Sequence, residues 1–476
     1  MTSSVQLTFR APVAANPTDR SFWLQDTESL DVPAPALVAD TTADVAIIGG
    51  GLTGLWTALR LVDRRPDLRV VVLEAEFCGS GASGRSGGQV HSWYESLDRL
   101  AAVADHEEAG RLACATVEAI GELERLQAEG SVDSGLRLDG WLWTASSKAQ
   151  EDAWARTLEL CAEHGVAPYT ALDAAEIARR TGSDASYAGV VEERAGSLHP
   201  GRLMRNLKTY AISRGVEVFE HTPVTALSTG SPVLLQTPTG QVRADRVLVA
   251  TNAWASSIPE LRRRMYVVDS QVVATEPIPD RLDALGWKAG ESICDSQTQV
   301  LYYQRTADGR VVFGRGTGGT VFRGRVSGAF NRNERWLDGT VRELHRVFPS
   351  LRDVKIDYHW TGPIDCVPSH VPQLGHLDGQ ANICYAIGWN GTALAQIPAC
   401  SHIVASMLLD ADDVWGRSKL IDQPHPQSLP PEPVRFLGAN AVRIAVNRKN
   451  AAEIRDLKPD LVTRALVALI PSASEH

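Results

Sequence analysis

The chain has few of the features that mark secreted, metal-binding or membrane-spanning proteins. Its seven cysteines are an odd, widely spaced set without a C-x-x-C pair, which argues against a disulfide framework and a zinc site. It contains no run of about 18 apolar residues, so no transmembrane segment is predicted. Residues 1–20 lack the apolar core and twin arginine of an export signal. We therefore predict a cytoplasmic protein without a metal.

The chain also has fewer basic than acidic residues. The 47 lysines and arginines are outnumbered by 57 acidic residues, which gives a net charge of −10. A nucleic-acid-binding protein would present a basic surface, so no nucleic-acid partner is predicted. Of the 476 residues, 44% are hydrophobic and 22% are charged. That composition is typical of a globular protein, and the length is sufficient for two domains.

What the chain does have is a nucleotide-binding unit at residues 44–74. The apolar run 45–48 predicts a buried strand, and the glycines that follow fit G-x-G-x-x-G at a strand-to-helix turn. The helical pattern ends at Pro66, and a second apolar strand, 70–73, ends at Glu74. A dinucleotide pyrophosphate would bind at the helix N-terminus, and Glu74 lies where a carboxylate accepts hydrogen bonds from ribose hydroxyls. The predicted cofactor residues here are Gly49, Gly51, Leu52, Thr53, Gly54, Glu74 and Ala75.

A glycine-rich loop decides between the nicotinamide and flavin dinucleotides. Five of the ten residues 79–88 are glycine. A nicotinamide-binding domain has no use for such a loop after the acidic residue, whereas a flavin ring needs backbone without side chains against it. The segment GASGRSGGQ (81–89), after LEAE, resembles the flavin loop of the D-amino-acid-oxidase-like family of FAD enzymes. It is nearest to the gamma-glutamylputrescine oxidase-type amine oxidases, which usually carry Asn in place of Ser86.

The resemblance implies FAD as cofactor and further contacts to it. In the loop these are Gly81, Ala82, Ser83, Arg85, Ser86, Gly87, Gly88 and Gln89. Elsewhere they are Val224 near the adenine, Thr251 and Trp254 after strand 246–251, Gly362, and a turn with Gly388, Asn390, Gly391 and Thr392. In the family, the helix after that turn (394–409 here) faces the pyrimidine edge of the flavin.

The predicted fold is α/β, with a Rossmann-like FAD-binding domain, an antiparallel-sheet α+β substrate domain and a helical C-terminal extension. The bounds are an irregular leader at 1–43, the FAD-binding domain at 44–145, 195–256 and 355–410, the substrate domain at 146–194 and 257–354, a Pro-rich linker at 411–433, and the extension at 434–476. Patterning predicts helices at 109–126, 149–164, 173–181, 201–213 and 331–348, and antiparallel strands within 266–323. These include a hairpin turn at Asp308-Gly309 and a strand at 321–325.

The resemblance implies that FAD takes a hydride from the α-carbon of a neutral amine. Candidate substrate-site residues are His91, Tyr302, Tyr303, Arg305 and Trp389, each with core or surface packing as the alternative. His91 or Cys366 could tether the flavin covalently. His199 could be a base, but a His before Pro200 at a helix start is more typical of a cap.

Two departures from the family narrow the reaction. Glycine-oxidase-like members place a carboxylate-binding Arg where this chain has Ile364, which favours an amine or a substituted amino acid over a simple α-amino acid. Sarcosine-oxidase-like members place an oxygen-activating Lys on the strand that here reads RVVFG (310–314). An oxidase that forms hydrogen peroxide is expected, with a dehydrogenase passing electrons to a quinone or carrier protein, or a flavoprotein subunit with structural FAD, as alternatives. A homo-oligomer is left open.

Overall fold

The computed structural model describes residues 6–10, 19–424 and 429–470. In chain order, its strands are β1 (Gln6–Thr8), β2 (Thr41–Ile48), β3 (Val70–Leu73), β4 (Gln89–Val90), β5 (Trp141–Ala145), β6 (Thr170–Asp173), β7 (Ala188–Glu192), β8 (Gly196–Ser197), β9 (Glu217–Phe219), β10 (Ala226–Ser228), β11 (Val233–Gln236), β12 (Gln241–Val249), β13 (Tyr266–Thr275), β14 (Ser292–Asp295), β15 (Leu301–Arg305), β16 (Val311–Thr320), β17 (Ile356–Cys366), β18 (Gln373–Leu377) and β19 (Gln380–Ile387). The helices are α1 (Phe22–Asp26), α2 (Leu52–Arg64), α3 (Leu97–Ala104), α4 (His106–Ala128), α5 (Ala155–Glu163), α6 (Ala174–Thr181), α7 (Pro200–Ser213), α8 (Leu261–Arg264), α9 (Pro279–Leu285), α10 (Glu334–Val347), α11 (Gln396–Leu408), α12 (Val434–Glu453) and α13 (Leu461–Val467). None of the helices in the described ranges is long and apolar enough to cross a membrane.

The first sheet is built around the predicted nucleotide-binding unit. Its order is β1-β10-β11-β12-β2-β3-β9, and β19, with β18 beside it, also pairs with β12. The central pairs β2–β3, β2–β12 and β12–β19 are parallel. Parallel strands buried on both faces need apolar runs and helical crossovers, which these strands and α2 supply. Helices α2 and α11 pack together in the core beside this sheet.

The second sheet has the order β17-β13-β16-β15-β14-β5-β7-β6. Its pairs are antiparallel except β14–β5. The β15–β16 hairpin turns at the predicted Asp308-Gly309, with the Thr306 N–H donating to the Arg310 carbonyl at 2.9 Å. Strands β5 and β17 belong to this sheet although they fall within ranges predicted for the FAD-binding domain. The division into domains stays a prediction.

Most predicted helices are confirmed to within a few residues as α4, α6, α7, α10 and α11. Asp173 caps α6 as expected by accepting from the Glu176 N–H at 2.8 Å. The helix predicted at 149–164 is wrong in its first half. Gln150 turns inward and its side-chain oxygen accepts from the Ser146 N–H at 2.9 Å, so the helix begins only at Ala155.

The strand predicted at 321–325 is also wrong. Residues Phe322–Gly324 form a 3-10 turn, in which Arg323 and Gly324 have φ of 54° and 64°. Left-handed backbone at two successive positions cannot continue a β ladder. The chain therefore leaves the sheet after Thr320 and crosses to the 3-10 turn at Asn252–Ser257, where the Ser256 hydroxyl donates to the Gly324 carbonyl at 2.9 Å.

The leader is more ordered than predicted where the structure describes it. Strand β1 pairs with β10, and Phe22 and Trp23 in α1 are 3% and 1% exposed. The Ser21 hydroxyl donates to the Gly84 carbonyl at 2.6 Å, and the Trp23 indole donates to the Ser86 carbonyl at 2.9 Å. Helix α1 and its N-cap thus hold two carbonyl groups of the glycine-rich loop in place.

The C-terminal extension forms the two expected helices, α12 and α13, and packs back on the body. The Lys449 ammonium donates to the Thr298 hydroxyl at 3.1 Å. The rings of Phe436 and Phe322 meet edge to face at 5.7 Å. Helix α12 is therefore packed against the rest of the protein.

Candidate functional site

The three glycines of the first turn that form the G-x-G-x-x-G motif meet different constraints. A Cβ on Gly49 would lie 2.5 Å from the Ala250 carbonyl oxygen, and one on Gly54 would lie 2.0 Å from the Gly49 carbonyl oxygen. Both are therefore required by the packing of the protein itself. A Cβ on Gly51 would meet only the Ser83 hydroxyl, at 3.0 Å. Gly51 is thus the position where the protein leaves room for a ligand to approach the start of α2, where Leu52 and Thr53 follow.

Glu74 buttresses this turn from the end of β3. One carboxylate oxygen accepts from the Gly50 N–H at 2.7 Å and the other from the Glu76 N–H at 2.9 Å. Burial raises the pKa of Glu74 to about 7. Ala75 is half-buried beside it. Buried Val224 belongs to the segment that crosses over Glu74, because the Thr222 N–H donates to the Glu74 carbonyl at 2.8 Å.

The glycine-rich loop lies between the first turn and the second sheet. Ser83 accepts from the Leu52 N–H at 3.0 Å, which ties the loop to the start of α2. Arg85 is buried, donates to the Asn331 side-chain oxygen at 2.6 Å and has a pKa lowered by burial to about 10. The Arg85 carbonyl accepts from the Trp360 indole at 2.9 Å. The loop is therefore fixed from both sides.

Close contacts explain why much of this loop is glycine. A Cβ on Gly87 would lie 2.5 Å from the Tyr302 ring, and one on Gly88 would lie 2.3 Å from the Gln304 amide nitrogen. The other predicted residues have contacts of their own. Gly81 faces the Trp254 ring, Ala82 to Gly84 form a 3-10 turn, Gln89 donates to the Ile293 carbonyl at 2.6 Å, and Gly362 faces Arg85.

A second turn, at residues 388–392, is held by a buried carboxylate that the sequence analysis missed. Asp365 accepts from the N–H groups of Gly388 at 2.6 Å and Trp389 at 3.2 Å, and from the Asn252 amide at 2.6 Å. Burial raises the pKa of Asp365 to about 7. An acidic residue between the apolar Ile364 and Cys366, at the end of a strand, is the sequence signal that could have identified it.

Within the same turn, Asn390 has a φ of 54° and its side-chain oxygen accepts from the Val367 N–H at 3.0 Å. The Thr392 N–H donates to the Trp389 carbonyl at 3.1 Å. Gly391 faces the Ile364 side chain, since a Cβ there would lie 3.5 Å from the Ile364 Cδ1. The turn therefore contacts the end of β17.

Three of the predicted cofactor-binding residues carry buried polar atoms that the described part of the chain leaves without a hydrogen-bond partner. They are the Ser86 hydroxyl, the Thr251 hydroxyl and the Trp254 indole N–H. Buried polar atoms are nearly always hydrogen-bonded, so each calls for an explanation. A dinucleotide, with its phosphate and hydroxyl groups, provides such partners. The residues present thus fit the cofactor that the sequence predicts.

One face of the second sheet, which we call the inner face, spans the distance between the loop and the turn. Side chains at directly opposed strand positions share a face. Tyr302 is opposite Gly314, Ser270 is opposite Gly362, and Val268 is opposite Ile364. Tyr302 contacts Gly87 and shares a 2.8 Å hydrogen bond with the Ser270 hydroxyl, while Ile364 contacts Gly391. The inner face therefore runs from the glycine-rich loop to the second turn.

Of the five predicted substrate-site residues, Tyr302 is the one whose side chain contacts the glycine-rich loop. Tyr303 points the other way, into a core where it stacks on Phe313 at 5.4 Å. Arg305 shares that outer direction and pairs with Asp283 at 2.7 Å. The geometry gives these two residues no place on the inner face.

The two remaining candidates have structural contacts. The His91 ring stacks on Trp141 at 4.3 Å, and its Nδ1 lies 3.0 Å from the Ser92 carbonyl oxygen. The Trp389 side chain is buried in the core beside α11, although its backbone belongs to the second turn. His199 caps α7, as favoured, by accepting from the Arg202 N–H at 3.2 Å. Cys366 is buried at the end of β17 opposite Tyr266, and burial raises the pKa of its thiol.

Comparison with known proteins agrees with this geometry. The family model described as FAD dependent oxidoreductase (DAO) matches residues 44–407. Gamma-glutamylputrescine oxidoreductase of Escherichia coli K12 is 32% identical over 382 residues, covering 79% of this chain and 85% of that protein. A probable oxidoreductase, OrdL, of Haemophilus influenzae is 28% identical and covers 83% of this chain and 89% of its own length. The crystal structure of glycine oxidase from Geobacillus kaustophilus has a TM-score of 0.64 at 20% identity, over 78% of this chain and 96% of that one.

The sheets and the dinucleotide-type turn define an α/β flavoenzyme fold. The chain belongs to the FAD-dependent oxidoreductase family DAO. It is an enzyme of a family that acts on amines or amino acids, and its cofactor is FAD. Both the predicted family and the predicted cofactor are therefore confirmed.

Proposed function

We propose that this enzyme oxidises the C–N bond of an amine or a substituted amino acid at the inner face, with molecular oxygen as the final acceptor. The observation that carries the proposal is the composition of the inner face between the loop and the second turn. It presents Tyr302, Ser270, Val268 and Ile364, and no cationic side chain stands among these four positions. The Escherichia coli relative named for gamma-glutamylputrescine supports an amine substrate.

A simple α-amino acid fits this surface poorly. Its carboxylate would need a charged donor beside the oxidised carbon, ideally a bidentate Arg. Ile364 stands where glycine-oxidase-like members carry that Arg. Arg315, on a neighbouring strand, lies at a position that alternates with the inner face, and it donates to the Asn447 side chain at 2.8 Å. An apolar surface instead favours the neutral form of an amine, because burial disfavours the charged form.

The residues around the cofactor divide the work of binding and orientation. The start of α2 beside Gly51, with the Ser83 hydroxyl that accepts the Leu52 N–H, would receive the diphosphate. Glu74 would receive the ribose, and Ser86, Thr251 and Trp254 the remaining polar groups. When bound, FAD supplies the acceptor for the hydride that leaves the α-carbon, at the flavin N5. The Tyr302 hydroxyl stays protonated at neutral pH, because burial raises its pKa to about 12. The Ser270 hydroxyl donates to the Arg315 carbonyl at 3.0 Å, so the Tyr302 hydroxyl donates to Ser270 and keeps its oxygen as an acceptor that can orient an N–H group of the substrate.

The fate of the electrons distinguishes the two candidate activities. In an oxidase, oxygen takes two electrons and two protons and becomes hydrogen peroxide, while water hydrolyses the imine product. The second candidate is a dehydrogenase that uses a quinone or carrier protein. The absence of lysine from β16 favours that alternative, because sarcosine-oxidase-like members place their oxygen-activating Lys there.

Free cysteines in the described chain are consistent with the proposed cytoplasmic location.

An amine panel tests the proposal. The FAD-loaded enzyme is mixed anaerobically with putrescine derivatives, N-substituted amino acids and, as matched controls, glycine and D-alanine. Bleaching of the flavin absorbance by an amine and by neither control would support the substrate class. No bleaching by any compound would favour a structural FAD. Air is then admitted in a stopped-flow instrument: recovery within seconds supports an oxidase, and recovery over many minutes supports the dehydrogenase.

A further inference from the structure

A cavity of about 450 Å³ lies where the 3-10 turn Phe322–Gly324 meets the start of α12, outside the inner face. Its charged lining is strongly one-sided: Arg10, Arg262, Arg323, Arg325 and Arg435, with Glu432. Five guanidinium groups and one carboxylate leave a local charge of +4, on a protein whose net charge is −10. Neither the fold nor the proposed reaction accounts for this concentration of positive charge.

Among the described residues, the one carboxylate forms no ion pair with the five arginines. Its two oxygens accept from the backbone N–H groups of Arg323 at 3.2 Å and Phe436 at 3.1 Å. Arg435 is held by backbone carbonyls, donating to Pro430 at 2.9 Å and Arg262 at 3.2 Å. Over the described ranges, the guanidinium groups of the other four arginines form no ion pair with an acidic residue.

This arrangement is suited to an anion with more than one charge. Like charges gathered around one cavity repel each other, and a bound anion relieves that repulsion. The planar guanidinium fork matches phosphate oxygens in a bidentate manner. Helix α12 begins at the cavity, so the positive end of its dipole adds to the field. A volume of about 450 Å³ is within the range that holds small organic ligands.

We propose that this arginine pocket binds a small phosphorylated molecule of nucleotide size that carries at least two negative charges. The pocket adjoins the flavin region without belonging to the inner face. A neighbouring cavity of about 350 Å³ shares Arg10 and Arg325 and is lined by Trp254, whose ring faces Gly81 in the glycine-rich loop. The arginine pocket is therefore separated from the glycine-rich loop by this neighbouring cavity and by the Trp254 ring.

The test uses the full-length, FAD-loaded enzyme, with inorganic pyrophosphate and ADP as probes in calorimetric titrations. A double variant, Arg262→Gln with Arg325→Gln, removes two of the lining charges. Arg263→Gln is the matched control, because Arg263 is exposed on α8 beside Arg262 and does not line the cavity. We expect saturable binding to the native enzyme and to R263Q, roughly tenfold or more weaker binding to the double variant, and a fall in affinity as salt rises.

Four outcomes would overturn the proposal. One is the absence of saturable binding of either probe to the native enzyme at millimolar concentration. Another is equal binding by the double variant and R263Q. The third is loss of FAD from the double variant, measured by flavin absorbance, which would assign these arginines to the cofactor's own phosphates. Binding of polyglutamate or single-stranded DNA without binding of ADP would also contradict it, since that would indicate a polyanion surface.

Discussion

Two turns frame the flavin region, and each is held by one buried carboxylate with a pKa of about 7. Glu74 accepts two N–H groups from its own βαβ unit. Asp365 accepts three, two from the turn that begins 23 residues later and one from Asn252, which is 113 residues earlier. A carboxylate has about four acceptor positions, so Glu74 keeps about half of its capacity for a ligand. The comparison indicates that Glu74 can bind a ligand, whereas Asp365 holds the second turn in position.

The largest effect is expected at the first turn. Gly51→Val should abolish FAD binding, with an affinity loss of at least roughly a hundredfold, because the side chain fills the approach of the diphosphate. The fold should survive, since the nearest protein atom to the added Cβ is the Ser83 hydroxyl oxygen at 3.0 Å, which rotation of the Ser83 side chain can move. Flavin absorbance and circular dichroism of the purified variant check this. A folded, normally yellow variant would show that the diphosphate binds elsewhere.

The contribution of the second turn to stability should depend on pH. Because burial raises the pKa of Asp365 from 3.8 to about 7, the native state holds this proton more tightly than the unfolded state, and its stability falls as pH rises between these values. Asp365→Asn removes that titration. The free energy of unfolding of the native apoprotein, minus that of the variant, should fall by up to about 4 kcal/mol between pH 4 and pH 7. Urea unfolding at several pH values measures it, and a constant difference would contradict the role assigned to Asp365.

A smaller effect is expected when Glu74 loses its charge. Glu74→Gln keeps an acceptor for the Gly50 N–H but loses one oxygen that could serve the ribose, so FAD should bind about tenfold more weakly. Glu217→Gln is the control, because Glu217 is on the neighbouring strand and pairs with Arg69 at the surface. Apoprotein titration with FAD gives both constants. If E74Q bound FAD as tightly as E217Q does, Glu74 would be a positioning residue like Asp365.

The smallest effect concerns the inner face that joins the two turns. Tyr302→Phe removes one hydrogen bond to Ser270 and should lower kcat/KM about threefold to tenfold with the best amine of the panel. Tyr303→Phe should leave kcat/KM unchanged, because Tyr303 lies in the opposite core. Steady-state assays compare the two. A larger loss in Y303F than in Y302F would reverse the assignment of the faces.

Sequence reasoning succeeded where the chemistry is contiguous. The turn at 49–54, Glu74 and the glycine-rich loop all lie within about 45 residues, and their spacing alone predicts a dinucleotide site. Asp365 was not predicted, because its partners, Asn252 and Gly388, come from segments that only the folded chain brings together. The Tyr302-Tyr303 pair could not be resolved either, since strand alternation separates two faces without saying which one meets the flavin loop.

The contact between α1 and the glycine-rich loop limits how far the protein can be truncated at its N-terminal side. A truncation beginning at residue 40 would look harmless, because it keeps the whole nucleotide-binding unit. It would nevertheless remove Ser21 and Trp23, which hold the carbonyls of Gly84 and Ser86. We therefore expect the truncated protein to lose its yellow cofactor more readily during purification, although the residues removed are separated from the loop by 63 positions in the sequence.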